Sequence, residues 1–193
     1  EPIKQLVSLG MLETRHGAGT YVRGFNEDQF TAPIASMLYG QKLTKKDILQ
    51  ILELRQIEIM ITGIAAERSD KAGIQELWRI HHIMENGVDD PSIHFKSDLA
   101  FHLQISHMAQ NPYLLQICRL LYESIGQALK TIVIIMGPQK ALYYHSKLID
   151  TISRHYVYEA KATMEEHLST TIEAVEAIPE SSNIFADYPR QSS

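Results

Sequence analysis

The chain has 193 residues, of which 45% are hydrophobic and 21% charged, and a formal net charge of −5. This composition excludes a disordered chain, fits one ordinary domain plus an appendage, and gives no global argument for nucleic acid. The single cysteine, Cys118, excludes an intrachain disulfide framework and fits a reducing, cytoplasmic setting, while the most apolar stretch, Thr131 to Pro138, is far too short to cross a membrane.

Residues 1–25 form a small unit. Ile3, Leu6, Val7 and Met11 have helical spacing and Gly10 is a stop signal; Met11–Arg15 and Thr20–Val22 read as strands around the turn His16-Gly17-Ala18-Gly19. A helix and a hairpin of this size bury no core of their own. The N-terminus carries no basic region followed by an apolar run, so no signal peptide is predicted; the chain opens at Glu1 inside a helix, so a preceding portion is expected. Lys4, Arg15 and Arg23 outnumber Glu1 and Glu13, a slight positive bias toward a phosphate backbone that an ordinary hairpin explains equally well.

Residues 26–43 read as a linker helix, weakly amphipathic through Phe30, Ile34, Met37 and Leu38. Thr44, with Asp47 three residues on, is an N-cap signal. Helices are then predicted over Asp47–Arg68, Ile74–Met84, about Pro91–Ala109, Pro112 to about Met136, about Lys140–Arg154 and Val157–Ala177, punctuated by Asn86-Gly87, Asp90-Pro91, Asn111-Pro112, Gly137-Pro138 and Pro179. Residues 181–193 form a polar tail, and no strand is predicted after residue 25. The expected fold is all-α: an antiparallel bundle of about six to seven helices over residues 44–180, preceded by the helix end and β-hairpin.

Chemistry enters where polar residues fall on apolar stripes. Asp98 and His102 share a helix face with Ile105 and Ala109; His145 lies on the stripe of Leu142 and Ile149; His167 lies on that of Ala160, Met164 and Thr171. A carboxylate and three imidazoles facing a core need a reason, and a divalent metal supplies one: zinc first, with nickel, manganese, iron or cobalt also compatible with such donors. His81, His82, His94, His107 and His155 are read as surface or satisfied core residues, with His94 a rival ligand because it stands one turn before Asp98. Arg55 falls on the inner stripe with Ile48, Ile51, Leu52, Ile59 and Thr62, and a buried guanidinium needs an anion. Two partners are open to it: Glu58 one turn on, or the carboxylate of a small ligand.

The run Leu9-Gly10-Met11-Leu12-Glu13-Thr14-Arg15-His16-Gly17-Ala18-Gly19-Thr20-Tyr21-Val22 resembles the end of the winged helix-turn-helix of GntR-family bacterial transcription regulators. Glu53-Leu54-Arg55 with Ala65-Ala66-Glu67-Arg68, Asp98-x-x-Phe101-His102 before Asn111-Pro112, and His145 followed by Glu165-Glu166-His167-Leu168 resemble the FCD ligand-binding domain of the FadR subfamily. The resemblance implies a metal held by Asp98, His102, His145 and His167, and a small carboxylate effector met by Arg55 and Asn111. An acyl-CoA effector is not expected, since the acyl-CoA-binding member lacks the metal set. It also implies DNA contacts from Arg15, His16, Gly17 and Gly19 of the wing, and a homodimer on a palindromic operator. The base-reading start of the recognition helix would precede Glu1, so this fragment is expected to bind DNA poorly by itself, with residues 1–25 disordered or packed non-natively. Effector binding would act through residues 26–43 and the helix bearing Arg55. A metal-dependent enzyme acting on a small carboxylate and a sensor of the metal itself are the competing functions, although no clear general base, nucleophile elbow or phosphate loop is visible.

Overall fold

The computed structural model describes residues 2–8, 11–22, 44–179 and 182. The predicted linker helix at 26–43 and, apart from Ser182, the polar tail lie outside the described residues. The chain divides into two compact units, Glu1–Gln41 and Lys42–Ser193.

In the first unit, helix α1 spans Pro2–Ser8, and strands β1 (Leu12–Arg15) and β2 (Gly19–Val22) pair antiparallel with Leu12 opposite Val22 and Arg15 opposite Gly19. Gly17 takes a φ of 77°, a left-handed conformation that costs glycine little, so the strands reverse within three residues. Tyr21 Oη donates to the Ala18 carbonyl at 2.7 Å and ties the turn to the second strand.

The second unit is helical among the described residues: α2 (Lys45–Leu54), α3 (Ile57–Arg68), α4 (Lys71–Asn86), α5 (Pro91–Met108), α6 (Pro112–Met136), α7 (Pro138–Ser153) and α8 (Val157–Glu176). Local sequence sets most of the starts. Thr44 and Asp47 form a capping box on α2, satisfying two orphan amides reciprocally. Asp70 accepts from the Gly73 amide at 2.7 Å and starts α4 earlier than its apolar pattern predicts. Asp90 and Asn111 cap α5 and α6, each followed by a proline whose fixed φ suits the first helical position.

The structure departs from prediction between residues 47 and 68. The expected single helix is broken at Arg55 and Gln56, where the amides of Arg55, Gln56, Glu58 and Ile59 each bond to the carbonyl three residues back. This is a local tightening into 3₁₀ geometry, with neither proline nor glycine at the joint. A pattern of apolar residues cannot show such a joint, because both halves keep the same inward stripe.

Helix α3 packs against α5, α7 and α8; α4 against α5 and α7; and α6 against α5 and α8. The core between them includes Ile48, Leu52, Ile61, Ala65, Leu77, Met84, Phe101, Ile105, Leu148, Ile149, Ile152, Met164 and Val175. Among the described residues, no helix is long and apolar enough to cross a membrane.

Candidate metal centre

Asp98 and His102 come from α5, His145 from α7 and His167 from α8. Their relative exposures are 6%, 2%, 0% and 4%, so the four polar side chains are withdrawn from water together. One ligand atom from each lies within 4.8 Å of the others. His102 Nε2 and His167 Nε2 are 3.3 Å apart, and His145 Nε2 is 3.5 Å from Asp98 Oδ1. Two atoms bound to one ion at about 2.1 Å and a tetrahedral angle stand about 3.4 Å apart, so these separations fit a shared ion.

The ring geometry fits the same reading. His102 and His167 are parallel, with centroids 5.3 Å apart and planes 8° from each other, while His145 meets both edge-on at 5.2 Å. Phe101 stacks on His145 at 3.9 Å and fixes its plane. His145 Nε2, on the converging side, is buried without a hydrogen-bond partner. Such an atom costs about 1–3 kcal/mol unless something binds it, and a cation uses the lone pair of a neutral imidazole.

Protonation is consistent with that role. Burial pushes the His145 pKa well below its ordinary 6.5, and His167 and His102 push it further. Burial does the same to His167, helped by His102 and Arg55. Metal-free protein is therefore expected to lose stability as pH falls below about 6.5. In that window the unfolded chain protonates both residues and the folded chain does not, which favours unfolding by up to about 1.4 kcal/mol per pH unit per histidine. Urea midpoints of chelator-treated protein at pH 7.5, 6.5 and 5.5 check this; equal midpoints would contradict it.

A second layer of charge stands behind the donors. Arg55, 2% exposed, donates from Nε to Glu58 Oε1 at 2.6 Å, and its Nη2 is 3.3 Å from both Glu58 Oε2 and His102 Nε2. Of its two candidate partners, the structure thus contains Glu58. On the far side of the ring, His102 Nδ1 is 2.8 Å from Glu58 Oε2, in contact but not aligned as a hydrogen bond. Burial alone would push the Glu58 carboxyl up, but Arg55 and His102 hold it well below the usual carboxylate range. Tyr122 lies against the Arg55 guanidinium, 5.5 Å from its ring centroid. Glu58 and Tyr122 were not foreseen as neighbours of His102: their signal was only their place on inward stripes.

Two of the donors, Asp98 and His167, line a cavity of about 20 Å³ together with Arg55, His94, Thr171 and apolar side chains of α6 and α7. That is room for about one water-sized guest. The sequence reading made His94 a surface or satisfied core residue; it is instead 3% exposed, and neither ring nitrogen has a hydrogen-bond partner. Burial lowers its pKa, so it is held neutral. Asn111 does not line this cavity; its Oδ1 accepts from the Tyr113 and Leu114 amides at 3.0 and 3.3 Å as the cap of α6. In the other unit, Arg15, His16, Gly17 and Gly19 are all exposed on the hairpin, and Arg15 Nε donates to Glu13 at 2.7 Å.

Residues 48–170, more than half of the chain, match the family model described as the FCD domain. The chain belongs to the FCD-domain family. It is 27% identical over 182 residues to the HTH-type transcriptional regulator LutR of Bacillus subtilis, covering 91% of this chain and 81% of that protein. It is also 27% identical over 181 residues to a putative L-lactate dehydrogenase operon regulatory protein of Escherichia coli, covering 88% of this chain and 67% of the relative. Among solved structures, Streptococcus agalactiae GntR superposes with a TM-score of 0.59 at 22% identity, covering 89% of this chain and 78% of the other. E. coli McbR/YncC superposes with a TM-score of 0.60 at 15% identity, covering 90% and 81%. These two likenesses speak for the fold alone. Family and curated relatives together make this FCD-domain chain a transcription regulator.

Proposed function

We propose that the FCD domain of this regulator holds a divalent ion through Asp98, His102, His145 and His167 and answers to a small monocarboxylate bound beside that ion. The observation that carries the reading is the convergence of these four buried donors within 4.8 Å. Three imidazoles and one carboxylate favour zinc, with nickel, manganese and iron compatible.

Charge supports a monoanion. Asp98 must be a carboxylate to ligate. Against a divalent ion and Arg55, the carboxylates of Asp98 and Glu58 leave one positive charge over, in a site where these side chains are at least nine-tenths buried. A monocarboxylate cancels it, whereas a dianion leaves a buried excess of negative charge. The E. coli relative's name concerns an L-lactate dehydrogenase operon, which makes L-lactate the first acid to test.

Size supports a regulatory use of binding. A cavity of about 20 Å³ is too small for an organic acid, so binding one would require its walls to move apart. A ligand that binds one arrangement better than the other shifts the population toward it. The shift would change how a homodimer of the complete protein, with its wings at Arg15, His16, Gly17 and Gly19, engages operator DNA.

The test is a thermal-shift screen of small carboxylates on zinc-loaded and chelator-treated protein. An acid at about 100 times its dissociation constant is expected to add about 2.7 kcal/mol, and only to the metal-loaded form. Equal shifts with and without metal would remove the ion from the site. The small cavity favours a second reading, a sensor of the ion itself; retention of the ion through prolonged chelation would exclude it.

A further inference from the structure

A second group of ligand-type side chains stands on α4, away from the four donors of the buried centre. One donor atom from each of His81, His82 and Glu85 lies within 4.8 Å of the others. Glu85 follows His81 by four residues and His82 by three, so its carboxylate reaches both rings from one turn on. His82 Nδ1 is 3.4 Å from Glu85 Oε2.

The two rings are held by their neighbours. His81 is 6% exposed, and its Nε2 donates to the Leu142 carbonyl of α7 at 3.1 Å. A carbonyl only accepts, so in the neutral ring Nε2 carries the proton and Nδ1 keeps the lone pair. That Nδ1 is buried without a hydrogen-bond partner. An imidazole tied to a backbone carbonyl through one nitrogen, with a lone pair left on the other, has the setting of a metal ligand. Trp78 meets His81 edge-on, with centroids 5.6 Å apart, and stacks on His82 at 5.9 Å. The side chains of His82 and Glu85 are 63% and 59% exposed, so an ion can arrive from solvent through them. An ordinary surface pair accounts for His82 and Glu85, but not for the orphaned nitrogen of His81. Burial of that atom does not set it apart from a ligand, since His145 Nε2 in the first centre is buried in the same way.

We propose that His81, His82 and Glu85 form a second divalent-cation site, facing solvent and exchanging its ion readily, for a borderline transition metal such as zinc. Two imidazoles and one carboxylate favour zinc, nickel, cobalt or copper(II) over magnesium and calcium, which take oxygen ligands. Three protein donors leave a position for water. The Leu142 carbonyl that orients His81 stands three residues before His145 on α7, so the two centres share a helix but no ligand.

The experiment counts zinc bound to the full chain by equilibrium dialysis over a range of free zinc concentrations. The parent is expected to take up two ions per chain, one tight and one weaker. His82→Ala and Glu85→Gln change exposed side chains, so both variants should fold. Each weakens the second uptake by at least about tenfold, the least that losing even an outer-shell partner costs, and leaves the first unchanged. Asp98→Asn does the reverse. His107→Ala, which removes an exposed histidine of α5, changes neither. A weaker uptake that persists in both His82→Ala and Glu85→Gln overturns the proposal. So does one that His107→Ala lowers as much as His82→Ala, which would be scattered surface binding. A parent that binds one ion, lost in Asp98→Asn, overturns it as well. One ion lost in His82→Ala but kept in Asp98→Asn supports this site and removes the buried centre instead, so the two readings fail separately.

Discussion

Asp98→Asn protein is expected to lose most of the divalent ion that the parent chain retains through gel filtration. The substitution keeps the side chain's shape and removes the one anionic donor among the four, which sits 6% exposed beside His145 Nε2. Three neutral imidazoles then face a divalent ion in a site with little water to screen it. The affinity loss should be at least about tenfold to a hundredfold, larger than or equal to that from removing an outer-shell partner. At metal concentrations near 100 times the parent's dissociation constant, the ion adds about 2.7 kcal/mol, or roughly 5–10 °C in melting temperature for a chain of this size. Asp98→Asn should forfeit about half of that increment at a tenfold loss and most of it at a hundredfold loss, while melting close to the parent in chelator. Equal metal content in the two proteins, measured by mass spectrometry of the ion, would eliminate the proposed centre.

The second large effect belongs to Glu58. Glu58→Ala leaves the Arg55 guanidinium, 2% exposed and held charged, without its counter-ion and next to the His102 ring. Breaking a buried pair from one side costs about 3–5 kcal/mol, because the remaining charge is neither solvated nor compensated. The melting temperature should fall on the order of 10 °C. The double variant Arg55→Met, Glu58→Leu should recover most of that loss, since a well-packed apolar pair removes both desolvation costs. It should fail to bind any carboxylate. A double variant as unstable as the single one would show that the pair's geometry, not its charge, holds the α2–α3 joint.

The helices were legible because their punctuation is chemical and local. Asp90-Pro91 and Asn111-Pro112 act within three residues of themselves, so sequence alone places the starts they control, whereas the cap at Asp70 went unread and α4 starts three residues before its apolar pattern. The inward faces of Asp98, His102, His145 and His167 were legible too, because a polar residue on an apolar stripe stands out at helical spacing. What escaped depends on contacts between helices. Glu58 meets His102 across 44 positions of chain, so no local pattern links them. The same network accompanies a joint at Arg55 that has no glycine or proline to announce it. His94 was misread although its position was legible: Ser97, Phe101 and Ile105 follow it by three, seven and eleven residues, which puts all four on one buried face of α5. Asn111 lay in a run that resembled the family's signature, and its side chain is accounted for by the cap it forms.

The 3₁₀ joint between α2 and α3 puts the buried ion pair at the point about which the two helices would tilt. Helix α2 is ten residues long, so its axis runs about 15 Å from the joint to Thr44, and each degree of tilt about Arg55 moves the far end by about a quarter of an ångström. The fulcrum residue is the same arginine that touches Glu58 and His102. At the far end Lys45 Nζ donates to the Glu176 and Ile178 carbonyls, each at 2.7 Å, so any tilt of α2 is shared with the end of α8.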